Sequence, residues 1–337
     1  MGQVSSKKNE GKYSKESNQN DRNIRNINKD QTRVKRNLTK YEKNEAYLTI
    51  SVLDAHRFIE GRRFCIAKDF TYTFPNDNQE ASRFNDSIKL MKQLFNSNYS
   101  APVEKLLSHG AKVLEIGTGG GFWLADMSKS FPMSTFLGLD ISTTFHQECL
   151  PENCAFLEYN YFDEIPFPEK TFDYVFQQSI SSSKFRDNQL DTHLREIFRV
   201  VKPGGWIEIF GTPTEIVNAG PASKAFIKLV RKCYQFNGLD PSIVHAYPNK
   251  LRSLKIKNVQ VVETQYYLSH HNTTSDNKES SLLLATAESL RVMIKMAVGY
   301  TDEQYDAILR GMAIEQKTLN MSVRCIRIFG QKESNFT

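Results

Sequence analysis

The sequence predicts an α/β fold built on a mostly parallel sheet, and two observations carry that prediction. From Val113 onward, short apolar, β-prone runs alternate with segments of helical periodicity, the pattern of strands joined by crossover helices. The first run contains an acid and breaks into a cluster of glycines, Val113-Leu-Glu-Ile-Gly-Thr-Gly-Gly-Gly121, before a helix-like stretch begins. That is strand, glycine turn, helix, the way such units open.

Each element follows in order. Ala81, Phe84, Ile88, Met91 and Phe95 recur at helical spacing and mark a helix with a core-facing stripe. Val113 to Ile116 is the first strand of the α/β unit, and Phe122 to Ser130 the first helix after the turn. Ser134 to Asp140 is a second apolar strand ending in an acid. Ala155 to Tyr159 is a third, followed by Asn160. Ile165-Pro-Phe-Pro168 is a spacer before a fourth strand, Phe172 to Phe176. Leu190, Leu194, Ile197, Phe198 and Val201 again fall at helical spacing, and Lys202-Pro-Gly-Gly205 reads as the turn that ends that helix. Trp206 to Phe210 is a fifth strand, with Val259 to Tyr267 and Ser322 to Phe329 as candidates for the sixth and last.

Glycines let a backbone pass close to a ligand, and a glycine turn opening a helix suits an adenosine-containing cofactor. A dinucleotide fingerprint, G-x-G-x-x-G/A, fails here because Phe122 stands at its third glycine position. The acid-x-G-x-G-x-G turn of S-adenosylmethionine-dependent methyltransferases matches at Glu115, Gly117, Gly119 and Gly121. A tight turn with no ligand is the plainer alternative. Asp140 lies about 20 residues past the turn, where a carboxylate accepts hydrogen bonds from ribose hydroxyls.

From Val113 to Phe210 the chain resembles a class I S-adenosylmethionine-dependent methyltransferase domain. Its E-I-G-T-G-G-G, G-L-D, I-P-F-P-x-x-x-F-D-Y-V-F and R-E-I-F-R-V-V-K-P-G-G-W-I-E segments stand in that family's order and spacing. Gly61-Arg-Arg-Phe64, Phe74-Pro-Asn-Asp77 and Arg324-Cys-Ile-Arg-Ile-Phe-Gly330 are similar to the fungal branch that includes secondary-metabolism regulator-type methyltransferases. The resemblance implies a Rossmann-like fold: a mostly parallel seven-stranded sheet, helices on both faces, and a last antiparallel strand inserted beside the fifth. It implies S-adenosyl-L-methionine as cofactor. Glu115 would hold the methionine ammonium through water, and Gly117, Thr118, Gly119 and Gly121 would shape the turn. Asp140 with Ile141 would take the ribose, Asn160 and Tyr161 would lie near the adenine, and Gln177 with Gln178 would face the reaction centre. Phe122 or Trp123 either touches the sulfonium or packs the first helical turn.

No catalytic residue stands out, and the chemistry asks for little beyond holding a nucleophile in line with an already activated methyl. The N/D-P-P-Y/F loop that serves planar amino groups is absent, since Phe176-Gln-Gln-Ser179 stands in its place. Methyl transfer to a small-molecule or protein acceptor is the expected activity. A methyltransferase-like regulator that binds the cofactor and a partner with little turnover is the alternative.

Composition fits one α/β domain with a lid in 337 residues that are 39% hydrophobic. No apolar run approaches the roughly 18 residues that span a bilayer, and no secretory h-region follows Met1. Five cysteines without a C-x-x-C pair read as free thiols of a reducing, cytoplasmic or nuclear, compartment. No His/Cys group has zinc-ligand spacing, so no metal is expected. Residues 1–45 hold 12 Lys+Arg against 6 Asp+Glu, a net of +6, which equals the net charge of the whole chain. That polar stretch reads as a disordered basic tail. Met1-Gly-Gln-Val-Ser-Ser6, followed by Lys7 and Lys8, matches a myristoylation pattern, so an anionic membrane is an expected partner of the tail. The core, balanced in charge, gives no indication of nucleic acid. The organisation expected is a tail at 1–45, an N-terminal helical cap at 46–110, and a methyltransferase domain at 111–337 with a lid or substrate insertion at about 213–300.

Overall fold

A computed structural model describes residues 56–67, 70–71, 73–141, 151–162, 164–178, 187–240, 242–268 and 282–334. The basic tail and its acylation pattern lie outside these residues.

Among the described residues, the cap segment opens with strands. β1 (His56–Ile59), β2 (Arg62–Ala67) and β3 (Phe70–Thr71) form a three-stranded sheet. Glu60 and Gly61 both carry positive φ, 50° and 76°, which is the two-residue turn that matches strand twist. α1 (Asn78–Leu94) follows, capped by the Asp77 carboxylate, which accepts from the Glu80 amide at 3.0 Å. α2 (Glu104–Ser108) is short.

The main sheet has seven strands in the order β6-β5-β4-β7-β8-β10-β9. Their ranges are β4 (Lys112–Ile116), β5 (Thr135–Asp140), β6 (Cys154–Glu158), β7 (Phe172–Gln177), β8 (Val201–Gly211), β9 (Ile256–Tyr267) and β10 (Ser322–Lys332). β4 to β8 run parallel, and β10 is inserted antiparallel to β8 and β9. The seven-stranded, mostly parallel sheet and its antiparallel last strand agree with the expectation. Helices α3 (Phe122–Ser130) and α4 (Asp187–Val200) are crossovers.

Strand alternation supplies two cores. Leu114 and Ile116 face Leu190, Leu194 and Ile197 of α4, while Val113 faces Ile88 and Met91 of α1 and Trp123, Leu124 and Met127 of α3. Each such side chain removed from water contributes about 1.5–3 kcal/mol. Helices therefore cover both faces.

Two sequence boundaries move. Lys202-Pro-Gly-Gly205 is the bulged entry of β8 rather than a turn before it: Val201 already pairs with Phe172, and the register shifts before Tyr174 meets Trp206. The insertion expected at 213–300 divides. β9 joins the main sheet, whereas α5 (Pro221–Phe236), α7 (Leu282–Val298) and α8 (Asp302–Thr318) pack on one another through Phe226, Val230, Leu290, Ile294, Tyr305 and Met312. α6 (Tyr247–Ser253) lies against the α4 face through Tyr247 and Leu251.

Candidate functional site

The glycine turn sits at the carboxyl end of β4, beside the carboxyl end of β5, where ligands bind in open parallel sheets. Gly117, Gly119 and Gly121 all take positive φ, at 74°, 54° and 76°. Gly121 is the N-cap of α3, with no side chain to cap it. The turn is pinned to β5 by the Gly117 amide donating to the Leu139 carbonyl at 2.8 Å.

Asp140 ends β5 and turns a carboxylate oxygen back to the turn, where it accepts from the Gly119 amide at 2.8 Å. The structure thus brings the turn and this acid together. Glu115 is fully buried on the α1–α3 face of the sheet. Its Oε2 accepts from the Thr118 hydroxyl at 2.6 Å, and its Oε1 has no hydrogen-bond partner. Desolvation lifts its pKa from 4.5 to about 8, with Thr118, the Gln178 side chain and the Leu124 amide pulling the other way and Asp140 adding repulsion. Glu115 and Asp140 are therefore brought to the two sides of one turn.

The remaining predicted residues are placed as follows. Ile141 packs half-buried against the α4 core. Asn160, exposed after β6, accepts the Phe162 amide at 3.2 Å in a local turn. Tyr161 and Gln177 are buried, and His193 of α4 joins them: its Nδ1 lies 3.1 Å from the Tyr161 carbonyl and its Nε2 3.0 Å from the Gln177 side-chain amide. Gln177 is thus held from the α4 side, and the Gln178 amide donates to the Ile116 carbonyl at 2.9 Å. Trp123 packs the first helical turn. It stacks on Phe176 at 4.4 Å, and its indole N–H donates to the Asn98 carbonyl at 2.8 Å. Phe122 carries the Lys89 ammonium 5.5 Å from its ring centre.

Two residues of α1 belong to the site and were read only as cap. A Cβ placed on Gly119 would come 2.6 Å from the Phe84 ring, and one on Gly120 would come 2.6 Å from the Asn85 amide oxygen. Asn85 Oδ1 is buried without a partner. Phe84 lay within the helical stripe and read as core. Asn85 lies about thirty residues before the turn, with no local signal of its role. The Cys65 thiol of β2 is raised by burial first, then by the nearby Glu158 and Asp140 carboxylates, so the cap sheet approaches the carboxyl end of β5.

Residues 113–205 match the methyltransferase domain family. The chain is similar to methyltransferase str3 of Strobilurus tenacellus, 30% identical over 170 residues, which cover 48% of this chain and 59% of that protein. It is similar to N-methyltransferase verN of Clonostachys rogersoniana, 22% identical over 78% of this chain and 93% of that protein. Among solved structures it is similar in fold to the YcgJ protein of Bacillus subtilis, at 17% identity, TM-score 0.45, and coverage of 74% of this chain and 99% of that one. Residues 113–205 are thus similar to a methyltransferase domain, and the chain spans 59% of the length of the str3 protein and 93% of the verN protein.

Proposed function

We propose that this chain moves the methyl group of S-adenosylmethionine to a nucleophilic atom of an acceptor by in-line transfer. The observation that carries the reading is the pair of buried acceptors without partners, Glu115 Oε1 and Asn85 Oδ1, flanking a glycine turn whose Gly119 amide meets Asp140. An ammonium satisfies such acceptors, and a ribose diol satisfies a strand-end carboxylate. The residues present fit the cofactor.

The cofactor supplies an electrophilic methyl on a sulfonium. The chain's own residues do the rest. Glu115 and Asn85 hold the ammonium end, and Asp140 orients the ribose. Asn160 and the Tyr161 backbone border the adenine. Gln177, fixed by His193, closes the site at the end of β7. Phe84 seals the turn from solvent on the α1 side. Positioning and exclusion of water carry the rate in this reading.

Residues 1–45 serve location in this reading, in a cytoplasmic protein drawn to anionic membranes. The support is their sequence, Met1 to Ser6 with the lysines that follow.

Incubating the full chain with methyl-labelled S-adenosylmethionine and fractions of a fungal small-molecule extract tests the activity. Label should move to a fraction component, with demethylated cofactor formed in equal amount. Absence of transfer from every fraction, with cofactor bound, would contradict turnover.

A further inference from the structure

We propose that the methyl acceptor is an uncharged, largely apolar small molecule carrying about one ring, held in a cavity that shares a wall with the glycine turn. The proposal rests on the methyl-transfer reading above. The cavity measures about 190 Å³ and lies at the carboxyl end of β8, between α1, α5 and α7. Ile88, Met91, Phe210, Val230, Leu290 and Val323 are among the side chains that form its walls.

Phe84 fixes its relation to the cofactor. The same ring lines the cavity and lies against Gly119 of the turn. The two compartments are therefore one aromatic ring apart, and the edge of that ring is where an acceptor atom can come into line with the methyl.

The lining decides the chemistry. Its charged residues are Arg83 and Glu215. Arg83 forks onto Glu80, with its Nε 2.9 Å from one carboxylate oxygen, donates to Thr286 at 3.1 Å, and lies 5.3 Å from the centre of the Phe74 ring. Glu215 is paired with Arg324, which also faces Glu263 at 3.6 Å. Both charges are neutralised inside the protein. A phosphate or carboxylate entering the cavity would lose its water without gaining a free counter-charge, a cost of several kcal/mol. An apolar ring loses nothing and gains dispersion contacts. As to size, a dry cavity of about 150 Å³ takes a benzene molecule, so this one suits a single substituted ring. In the transfer the acceptor's nucleophilic heteroatom bonds the methyl carbon, the carbon–sulfur pair passes to sulfur, and the heteroatom's proton leaves to bulk solvent through the open mouth of the cavity once the methyl has moved.

Indole, with ethanolamine as the polar control, tests this by calorimetry and by methyl NMR on the full chain saturated with S-adenosylhomocysteine. Indole should bind saturably, shift the methyl signals of Ile88, Leu290 and Val323, and bind at least tenfold more tightly than ethanolamine. Val230→Phe and Leu290→Phe, each filling the cavity, should weaken indole at least tenfold while S-adenosylhomocysteine affinity stays unchanged. Should neither variant fold, the methyl shifts of the unaltered chain decide alone. Indole binding no better than ethanolamine, or shifting methyls elsewhere, would overturn the proposal. Failure of S-adenosylhomocysteine to bind would instead overturn the cofactor reading, and the indole titration then judges the cavity by itself.

Discussion

Lowering the pH from about 8 to about 6 is expected to weaken S-adenosylhomocysteine binding through Glu115. Its carboxyl is fully buried, and desolvation lifts its pKa from 4.5 to about 8. At about pH 7 roughly 90% of the free protein then holds the proton. The ligand's ammonium favours the ionised form, so binding draws on the ionised fraction. Kd should rise about tenfold for each pH unit below 8, and close to one proton should be released per site at about pH 6. Calorimetry in two buffers of different ionisation enthalpy reads both quantities. Glu115→Gln should flatten the difference, because titration of the ligand's own amine is common to both proteins. Stability carries the opposite sign. The folded pKa is raised, so between about pH 4.5 and 8 the native state holds a proton that the unfolded chain has lost. Without ligand, Glu115 therefore lowers stability as pH rises through that window, by about 1.4 kcal/mol per unit. Identical pH profiles for the original chain and Glu115→Gln would refute this account of the carboxyl.

Asp140→Ala should weaken S-adenosylhomocysteine by roughly 1–3 kcal/mol, since the ribose and the Gly119 amide both lose their acceptor, while the thermal midpoint is largely kept; unfolding would mark the residue as structural. Gly119→Val should lower the thermal midpoint, because φ is 54° there and the Phe84 ring stands 2.6 Å from the added Cβ; adding Phe84→Ala should recover part of the loss, and no recovery would place the whole cost in the backbone. Arg327→Leu should cost about 3–5 kcal/mol in denaturant unfolding, because it leaves buried Glu208 without its cation 3.7 Å away, and Glu208→Gln with Arg327→Met together should cost less. Deleting residues 1–45 should leave cofactor affinity unchanged, and Gly2→Ala should abolish salt-sensitive binding of the full-length protein to anionic vesicles; native protein with Gly2 unmodified by mass spectrometry would contradict the membrane role.

The parallel half of the sheet was legible because its strands are short apolar runs broken by polar or glycine-bearing segments. Glu115, the glycines and Asp140 were legible because one turn and one strand end place them in a fixed spacing. The cap strands were missed because Arg62-Arg-Phe-Cys65 has no clean alternation, and Glu60-Gly61 is a weak hairpin signal. The entry into β8 was misread because Pro203 and the two glycines after it mark a bulge as readily as a turn. Asn85 and Phe84 reach the turn only through packing of α1 on the sheet, a long-range contact that no local pattern encodes. His193 has no sequence signal of its own, and only its register against β7 brings it to Gln177.

The most direct test of the central claim is a calorimetric titration of the full chain with S-adenosylhomocysteine and, separately, with NAD. The geometry of Glu115, Gly119 and Asp140 predicts one saturable site for the first ligand, lost or strongly weakened in Asp140→Ala, and no heat of binding for the second. Tight binding of NAD with none of S-adenosylhomocysteine would contradict it.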